Sequence, residues 1–231
     1  FVFVSVPTPM KISDKGRIDT SIIQSVFKEI SKISFDRTKK TFILKSTITP
    51  GTTRRISEKF KDFQIVFNPE FLTERSANLD FINSSRIILG GSTIHTDHVE
   101  RMFRVRFPHK KIIKTNWETA EFTKYMCNCF FASKVSFMNE MYQISEKIGI
   151  DWDRAKEGFV SDGRIGNSHL NVPGHDGSLG FGGKCFPKDM NAMINFMKES
   201  GIDPKVLSAS WQKNLEVREN KDWESIPGAT S

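Results

Sequence analysis

The first half of the chain alternates short apolar runs with longer amphipathic segments. The apolar runs predict strands at 1–6, 41–45, 63–67, 86–89 and 111–114. The segments between them predict helices at 18–33, 52–60 and 97–107. Strands that alternate with helices in this way indicate an α/β fold built on a doubly wound parallel sheet.

Three polar residues come just after predicted strands of this sheet. Thr8 follows the first strand, Thr47 the second and Glu70 the third. Because ligands of doubly wound sheets bind beyond the carboxyl ends of the strands, we expect these side chains to line a ligand site. Any one of them alone would more often be a turn residue or a helix cap, so it is their shared position that favours a site.

The second half of the chain has helical periodicity throughout. Residues 117–148 contain neither proline nor glycine and predict one unusually long helix. Lys124 and Asn128, four residues apart, share one face of it. Its apolar stripe indicates either core or a dimer interface, and consists of Phe122, Met126, Cys129, Phe137, Met141 and Ile144. Further helices are predicted at 152–157, 187–200 and 204–218, with a glycine-rich and proline-containing loop at 161–183 and a polar tail after 218.

Composition narrows the class of protein. With 231 residues, 38% of them hydrophobic and 26% charged, the chain has ordinary globular composition. It has no apolar run of the roughly 18 residues that would cross a membrane. The apolar start also lacks the basic region and cleavage site of a signal peptide. Three cysteines, an odd number, argue against a disulfide framework and for a reducing, cytoplasmic location.

Charge and histidine content bear on the ligand. The net charge of +7 fits an anionic small ligand such as a nucleotide, and no motif indicates nucleic-acid binding. His95 and His98 are three residues apart, but no further cysteine, histidine or carboxylate completes a set of metal ligands. We therefore interpret both as surface residues and expect no metal.

The stretch Gly-Phe-Gly-Gly-Lys-Cys-Phe-Pro-Lys-Asp at 180–189 is the strongest candidate site. Pro187 suits the first turn of a helix, which places Cys185 just ahead of a helix N-terminus. There the helix dipole, with Lys184 and Lys188 nearby, favours a thiolate, and the glycines open the backbone to a substrate. We therefore expect a nucleophilic cysteine. The alternative is an inert, buried cysteine beside an ordinary turn.

Several separated motifs resemble one family, the UDP-glucose/GDP-mannose dehydrogenases, over nearly the whole chain. They are Val-Pro-Thr-Pro at 6–9, Lys-Ser-Thr at 45–47, Asn-Pro-Glu-Phe-Leu-Thr-Glu at 68–74, Lys124 with Asn128, Asp-Gly-Arg-Ile-Gly at 162–166, and the Cys185 stretch. The resemblance implies the C-terminal half of a Rossmann-like doubly wound parallel sheet at 1–115, a partial NAD-binding domain. An all-helical central domain for dimerisation and catalysis follows at 116–218, with the tail at 219–231.

The resemblance also implies roles for individual residues. Cys185 would be the covalent nucleophile, and Glu70 would be the base that activates water with help from Thr47. Lys124 would act in proton transfer and, with Asn128, stabilise an alkoxide or oxyanion. Asp189 would orient the catalytic water or serve as an auxiliary base. NAD would contact Val6, Pro7, Thr8, Pro9, Ser46, Thr47, Glu74 and Lys188. The nucleotide sugar would contact Glu70, Phe71, Leu72, Glu74, Lys124, Asn128, Arg164, Leu179, Phe181 and Gly182.

The activity implied is NAD-dependent oxidation of UDP-glucose to UDP-glucuronate through a cysteine thiohemiacetal and thioester. GDP-mannose or a UDP-N-acetyl-hexosamine is the alternative substrate, and a non-catalytic dimerisation scaffold is the alternative of another class. The implied partners are the nucleotide sugar and a second copy bound through the long helix. The family's glycine-rich fingerprint and C-terminal nucleotide-binding domain are not in this sequence, so we expect residues upstream of Phe1 and weak NAD binding by this chain alone.

Overall fold

The computed structural model describes residues 1–14, 16–36 and 39–231, without the side chains of Ile12 and Glu74. Its strands are β1 (Val2–Val4), β2 (Met10–Lys11), β3 (Arg17–Ile18), β4 (Thr41–Leu44), β5 (Gln64–Phe67), β6 (Arg86–Gly90) and β7 (Lys111–Thr115). Its α-helices are α1 (Ser21–Lys32), α2 (Thr52–Lys59), α3 (Ala77–Asn83), α4 (Thr93–Arg106), α5 (Trp117–Ile148), α6 (Trp152–Val160), α7 (Phe186–Glu199) and α8 (Lys205–Val217). Short 3-10 helices lie at Ile12–Asp14, Glu74–Ser76 and Asp222–Glu224.

The chain folds into two compact units. The first contains Phe1–Pro9 and Ile18–Met126, and the second contains Met10–Arg17 and Cys127–Ser231. The division therefore falls within the long helix α5, which begins in the first unit and ends in the second. The domain limits proposed from the sequence stay a prediction.

The first unit is organised on a five-stranded sheet in the order β1-β4-β5-β6-β7. β1, β4 and β5 pair in parallel, as do β6 and β7, which confirms the predicted α/β class. β5 and β6, however, pair antiparallel, with Phe67 opposite Gly90. A parallel return needs a crossover, usually a helix packed on the sheet. The only α-helix in this connection, α3, buries none of its residues, and β6 returns in the opposite direction.

The core of the first unit explains why its strands are continuous apolar runs. All four residues of β4 are buried, as expected for a central strand covered on both faces. On one face, Ile23 and Phe27 of α1 pack against Phe42 and Leu44. On the other, Ile43 packs in a cluster with α4 residues. The strand ends are thereby fixed, and the polar residues that follow them lie at one edge of the sheet.

Helices form most of the second unit. Part of its core joins Met138 of α5 to Leu170 and Val172 of the long loop. The segment predicted as a polar tail contributes a second cluster, in which Trp223 and Ala229 are buried against Met10. The tail is therefore packed structure in spite of its polar composition.

The apolar stripe of α5 is largely exposed within the second unit. Phe137, Met141 and Ile144 are 52%, 37% and 45% exposed, while Cys129 is buried. The stripe is therefore not core there, apart from Cys129. Among the described residues, no helix is both long and apolar enough to cross a membrane. His95 and His98, which we interpreted as surface residues, are partly exposed, and the ring of His98 contacts Phe1.

Candidate active site

A carboxylate and an ammonium group meet at the edge of the sheet in the first unit. Glu70 lies three residues beyond the end of β5, and its Oε1 accepts a hydrogen bond from Nζ of Lys124 at 3.2 Å. Its Oε2 accepts from the backbone N–H of Leu72 at 2.8 Å. Lys124 is only 3% exposed, so the pair is held in a partly desolvated setting. Such a carboxylate is oriented and can take a proton from water or from a hydroxyl group.

Aromatic contacts fix the residues beside this pair. The centroid of the Phe71 ring lies 5.5 Å from Nζ of Lys124 and 4.4 Å from the guanidinium carbon of Arg86. These cation-π contacts hold the ring beside Glu70. Phe71 and Leu72, both predicted to contact substrate, therefore lie at the Glu70–Lys124 pair.

Lys45 and Asn68 lie beside this pair, although no role was predicted for either. Nζ of Lys45 donates to the backbone oxygen of Asn68 at 3.1 Å and to its Oδ1 at 3.0 Å. Nδ2 of Asn68 donates in turn to the oxygen of Ile88 at 2.8 Å, so the amide is fixed. Burial lowers the pKa of the Lys45 ammonium to about 8, the charge of Glu70 opposes that shift, and Lys124 adds to it. Both residues belong to motifs quoted above, and that membership could have indicated their place beside the site.

The ends of β1 and β4 carry the residues predicted to bind NAD. Oγ1 of Thr8 donates to the backbone oxygen of Thr47 at 2.8 Å, and Oγ of Ser46 donates to that of Val6 at 2.7 Å. Both hydroxyl groups are buried and join the two strand ends. Adjacent parallel strand ends of this kind suit a dinucleotide, so the segment from Val6 through Pro7 and Thr8 to Pro9 fits the cofactor. The side chain of Glu74 lies outside the described part of the chain.

A buried carboxylate, missed in the sequence, fixes the loop that follows β4. Glu121 accepts hydrogen bonds from the backbone N–H groups of Gly51 and Thr53 at 2.6 and 2.7 Å, and from Oγ1 of Thr53 at 2.6 Å. It thereby caps the N-terminus of α2. Burial raises its pKa to about 7 in spite of these donors. We assign it to the scaffold and not to the chemistry, since all its hydrogen bonds go to the α2 terminus.

In the second unit, Cys185 occupies the position predicted for it. It is the N-cap residue of α7, with Pro187 in the first turn. Cys185 is exposed and therefore not buried, and its backbone oxygen accepts from the N–H of Asp189 at 2.9 Å. The sulfur is therefore accessible at a helix N-terminus, where the helix dipole favours negative charge.

Asp189 joins two other predicted site residues. Its Oδ2 accepts from Nδ2 of Asn128 at 2.5 Å, and its Oδ1 accepts from Nζ of Lys188 at 2.5 Å. Asp189 is 1% exposed. Cys129 lies behind it, with Sγ 3.7 Å from its backbone oxygen. Burial strongly raises the pKa of the Cys129 thiol, with Asp189 adding to the effect, so this sulfur stays protonated.

The remaining substrate residues of the second unit are placed differently from one another. Phe181 is 4% exposed and its backbone is held by hydrogen bonds. Leu179 packs against the cluster that contains Met138. Arg164 is exposed and forms a salt bridge with Asp162 at 2.6 Å.

Several of the predicted site residues are thus hydrogen-bonded to one another within each unit. Glu70 meets Lys124, and Thr8 meets Thr47, in the first unit; Asn128 and Lys188 meet Asp189 in the second. The roles assigned to these residues stay predictions. In the described ranges, no group of three or more histidine, cysteine, aspartate or glutamate side chains has the arrangement of a metal site.

Two models of one family match the chain. The NAD binding domain of the UDP-glucose/GDP-mannose dehydrogenase family matches residues 1–106, and the central domain of the same family matches residues 118–216. The sequence predicted both this family and NAD as its cofactor. Both predictions are confirmed at the level of the family.

Individual relatives are similar over most of this chain. A UDP-glucose 6-dehydrogenase of Rickettsia bellii is 37% identical, with 93% of this chain and 49% of the relative covered. The structure of a UDP-glucose dehydrogenase from Pyrobaculum islandicum is 29% identical with a TM-score of 0.78, covering 93% of this chain and 50% of that one. A GDP-mannose dehydrogenase from Pseudomonas aeruginosa is 28% identical with a TM-score of 0.62, at the same coverage. The chain spans about half the length of the curated relatives it matches.

Proposed function

The chain belongs to the UDP-glucose/GDP-mannose dehydrogenase family, and from that premise we propose that it takes part in the NAD-dependent oxidation of UDP-glucose to UDP-glucuronate. The reaction converts a primary alcohol to a carboxylate and removes four electrons, which two molecules of NAD accept as hydride in turn.

Cys185 is the covalent nucleophile in this proposal. Its thiolate adds to the aldehyde left by the first oxidation, forming a carbon–sulfur bond and a thiohemiacetal. Loss of the second hydride turns the thiohemiacetal into a thioester. The observation that carries the proposal is the exposed sulfur at the N-terminus of α7, one helical turn before buried Asp189. A buried, inert cysteine would have neither feature.

Glu70 acts as the base that releases the product. It takes a proton from water, the hydroxide attacks the thioester carbon, and the sulfur leaves as a thiol or thiolate. Lys124 supports this role, since its ammonium group holds Oε1 of Glu70 and can stabilise negative charge on a substrate oxygen. Thr47 assists from the end of β4, where its backbone is tied to Thr8.

Asn128 and Asp189 serve the cysteine side of the reaction. Asn128 offers an amide donor to an alkoxide or oxyanion, and its side chain is oriented by the hydrogen bond to Asp189. Asp189 is an auxiliary base or orients water. The cofactor is held by Val6, Pro7, Thr8, Pro9, Ser46, Thr47, Glu74 and Lys188.

The sugar nucleotide is held by Arg164, Leu179, Phe181 and Gly182. GDP-mannose is the second candidate substrate, favoured by the likeness to the Pseudomonas aeruginosa enzyme. We rank UDP-glucose first because the Rickettsia bellii relative, which is 37% identical to this chain, is named a UDP-glucose 6-dehydrogenase.

Self-association through α5 belongs to the same proposal. Phe130, Phe137 and Ile144 recur every seven residues and are 62%, 52% and 45% exposed. A stripe with this spacing suits a second copy of the same helix. Phe137→Glu should shift the protein toward monomer in sedimentation. Glu146→Gln, at an exposed position on the opposite face of α5, should leave its mass unchanged.

The test measures NADH formation by the protein expressed from the complete open reading frame that encodes this chain. UDP-glucose, GDP-mannose and a UDP-N-acetyl-hexosamine are compared as substrates. We expect turnover with UDP-glucose that Cys185→Ser loses and that Cys127→Ser, the matched control, retains. A folded protein that turns over none of the three would contradict the proposal, and turnover with GDP-mannose alone would establish the second candidate.

A further inference from the structure

The loop before Cys185 is held by side chains from distant parts of the second unit. The N–H of Gly180 donates to Oδ1 of Asn139 at 3.0 Å. Asn214 receives the N–H of Phe181 at 2.6 Å and donates to its oxygen at 3.0 Å, so one buried amide binds both backbone groups of that residue. Residues 180 and 181 therefore have little freedom.

The next glycines are held by charged groups of the C-terminal segment. The N–H of Gly183 lies 3.2 Å from both carboxylate oxygens of Asp222. Gly182 lies so close to Arg218 and Asp222 that a methyl group on its α-carbon would overlap both side chains. The backbone just before the cysteine thus rests directly on these two residues.

Arg218 is a buried cation that binds two partly exposed carboxylates. Its side chain is 2% exposed, and its Nη2 lies 2.9 Å from Oδ2 of Asp176 and 3.2 Å from Oδ2 of Asp222. Its Nε donates to the backbone oxygen of Asn220 at 2.9 Å. A buried charge with two partners and a further hydrogen bond is strongly fixed, and removing one partner of such a pair is costly.

Asp176 connects the preceding loop to this cluster. Its Oδ1 accepts from the N–H of Ser178 at 3.1 Å, while its Oδ2 is bound to Arg218. Although burial alone would raise it, the pKa of Asp176 is lowered overall by Arg218 and by backbone donors. The 172–178 segment, for which no role was predicted, is therefore bound through Asp176 to Arg218, the residue that also lies against Gly182.

We propose that Arg218 and Asp222 are positioning residues that set the place of the Cys185 sulfur at the N-terminus of α7. In this proposal they act through the backbone of Gly182 and Gly183, against which both side chains lie. The inference rests on the proposed role of Cys185 as nucleophile. Its physical basis is distance: stabilisation of a thiolate by a helix N-terminus falls off within the first turn, so a displaced loop loses it.

The experiment measures how the alkylation rate of Cys185 depends on pH in the folded chain, using iodoacetamide and peptide mass spectrometry. The variants are Asp222→Ala, Arg218→Met and the conservative Arg218→Lys, with Asp153→Ala as an exposed control. For the unaltered chain we expect an apparent pKa below the roughly 8.5 of an ordinary cysteine. Asp222→Ala and Arg218→Met should raise it toward that value, Arg218→Lys should raise it less, and the control should not change it.

The outcomes separate this proposal from the proposed function. If the unaltered chain already titrates like an ordinary cysteine, the nucleophile itself is contradicted. If its apparent pKa is low and stays low in folded Asp222→Ala and Arg218→Met, the positioning role alone is overturned, and the cluster only stabilises the fold. Asp176→Asn removes a more exposed partner, and supplies the same comparison should the other two variants fail to fold.

Discussion

Asn128 and Asp189, 61 residues apart in sequence, share a hydrogen bond of 2.5 Å between Nδ2 and Oδ2 inside the second unit. Both side chains are buried, and the other oxygen of Asp189 accepts from Lys188. The pair links α5 to the first turn of α7, directly after Cys185. The buried carboxylate of Asp189 thus has two donors, one on each oxygen.

Asp189→Asn should destabilise the chain. An amide has only one oxygen, so its NH2 group must face a donor of Asn128 or Lys188, and one buried donor loses its acceptor. We expect a loss of about 1 to 3 kcal/mol in the free energy of unfolding, measured by urea denaturation. Asp203→Asn, at a side chain 71% exposed, is the matched control and should stay within about 0.5 kcal/mol. Equal stability of the two variants would argue against a structural role for the buried pair.

Lys45 should make stability depend on pH in the alkaline range. Burial lowers its pKa to about 8 in the folded chain, from 10.5. Between these values the unfolded chain binds more protons than the folded chain, so the contribution of Lys45 to the free energy of unfolding rises with pH. The difference between the unaltered chain and Lys45→Met should therefore increase by the order of 1 to 3 kcal/mol from about pH 7 to about pH 10.

Lys205→Met is the control for this measurement, since its side chain is 85% exposed. It should follow the unaltered chain at every pH. A pH-independent difference for Lys45→Met would mean that the ammonium group titrates alike in the folded and unfolded chains.

Gly182→Ala should cost stability because the added methyl group overlaps Asp222 and Arg218. We expect about 1 to 3 kcal/mol, the usual cost of overpacking a well-packed position. Gly163→Ala is the control, as its added carbon would meet nothing within 4 Å. Thermal unfolding of the two variants checks the comparison, and equal melting temperatures would show that the loop moves aside at no cost.

The cysteines should differ sharply in reactivity. Cys185 is exposed, whereas Cys129 is 4% exposed and burial keeps its sulfur protonated. Brief treatment of the folded chain with iodoacetamide should therefore label Cys185 and leave Cys129 unmodified, and urea should make both react. Comparable labelling of both in the folded chain would contradict the placement of Cys129 behind Asp189.

Much of the fold follows from local pattern. α5 runs from Trp117 to Ile148 as predicted, because 32 residues without proline or glycine carry an unbroken helical repeat. α3 was not predicted because it has no buried apolar face. None of its residues is buried, and Leu79 and Ile82 are 64% and 48% exposed. The antiparallel pairing of β5 with β6 was missed because strand direction depends on the path of the connection.

In the candidate site, too, the features that depend on neighbouring residues in the sequence could be predicted, and those that depend on distant residues could not. Cys185 could be predicted because its glycines, lysines and proline stand beside it in sequence. The support of its loop could not, since Asn214 and Asp222 lie 33 and 39 residues from the backbone groups they bind. Nor does polar composition reveal that Trp223 anchors the tail.

The most direct test of the account is to trap the covalent intermediate on Cys185. Glu70→Gln, made in the complete reading frame, keeps the side-chain shape but cannot take the proton from water, so the thioester should accumulate. After incubation with UDP-glucose and NAD and an acid quench, mass spectrometry should find the sugar-nucleotide acyl group on the Cys185 peptide. It should be absent without NAD and in the Cys185→Ser variant. If the unaltered enzyme turns over and folded Glu70→Gln carries no adduct, the assignment of these two residues is contradicted.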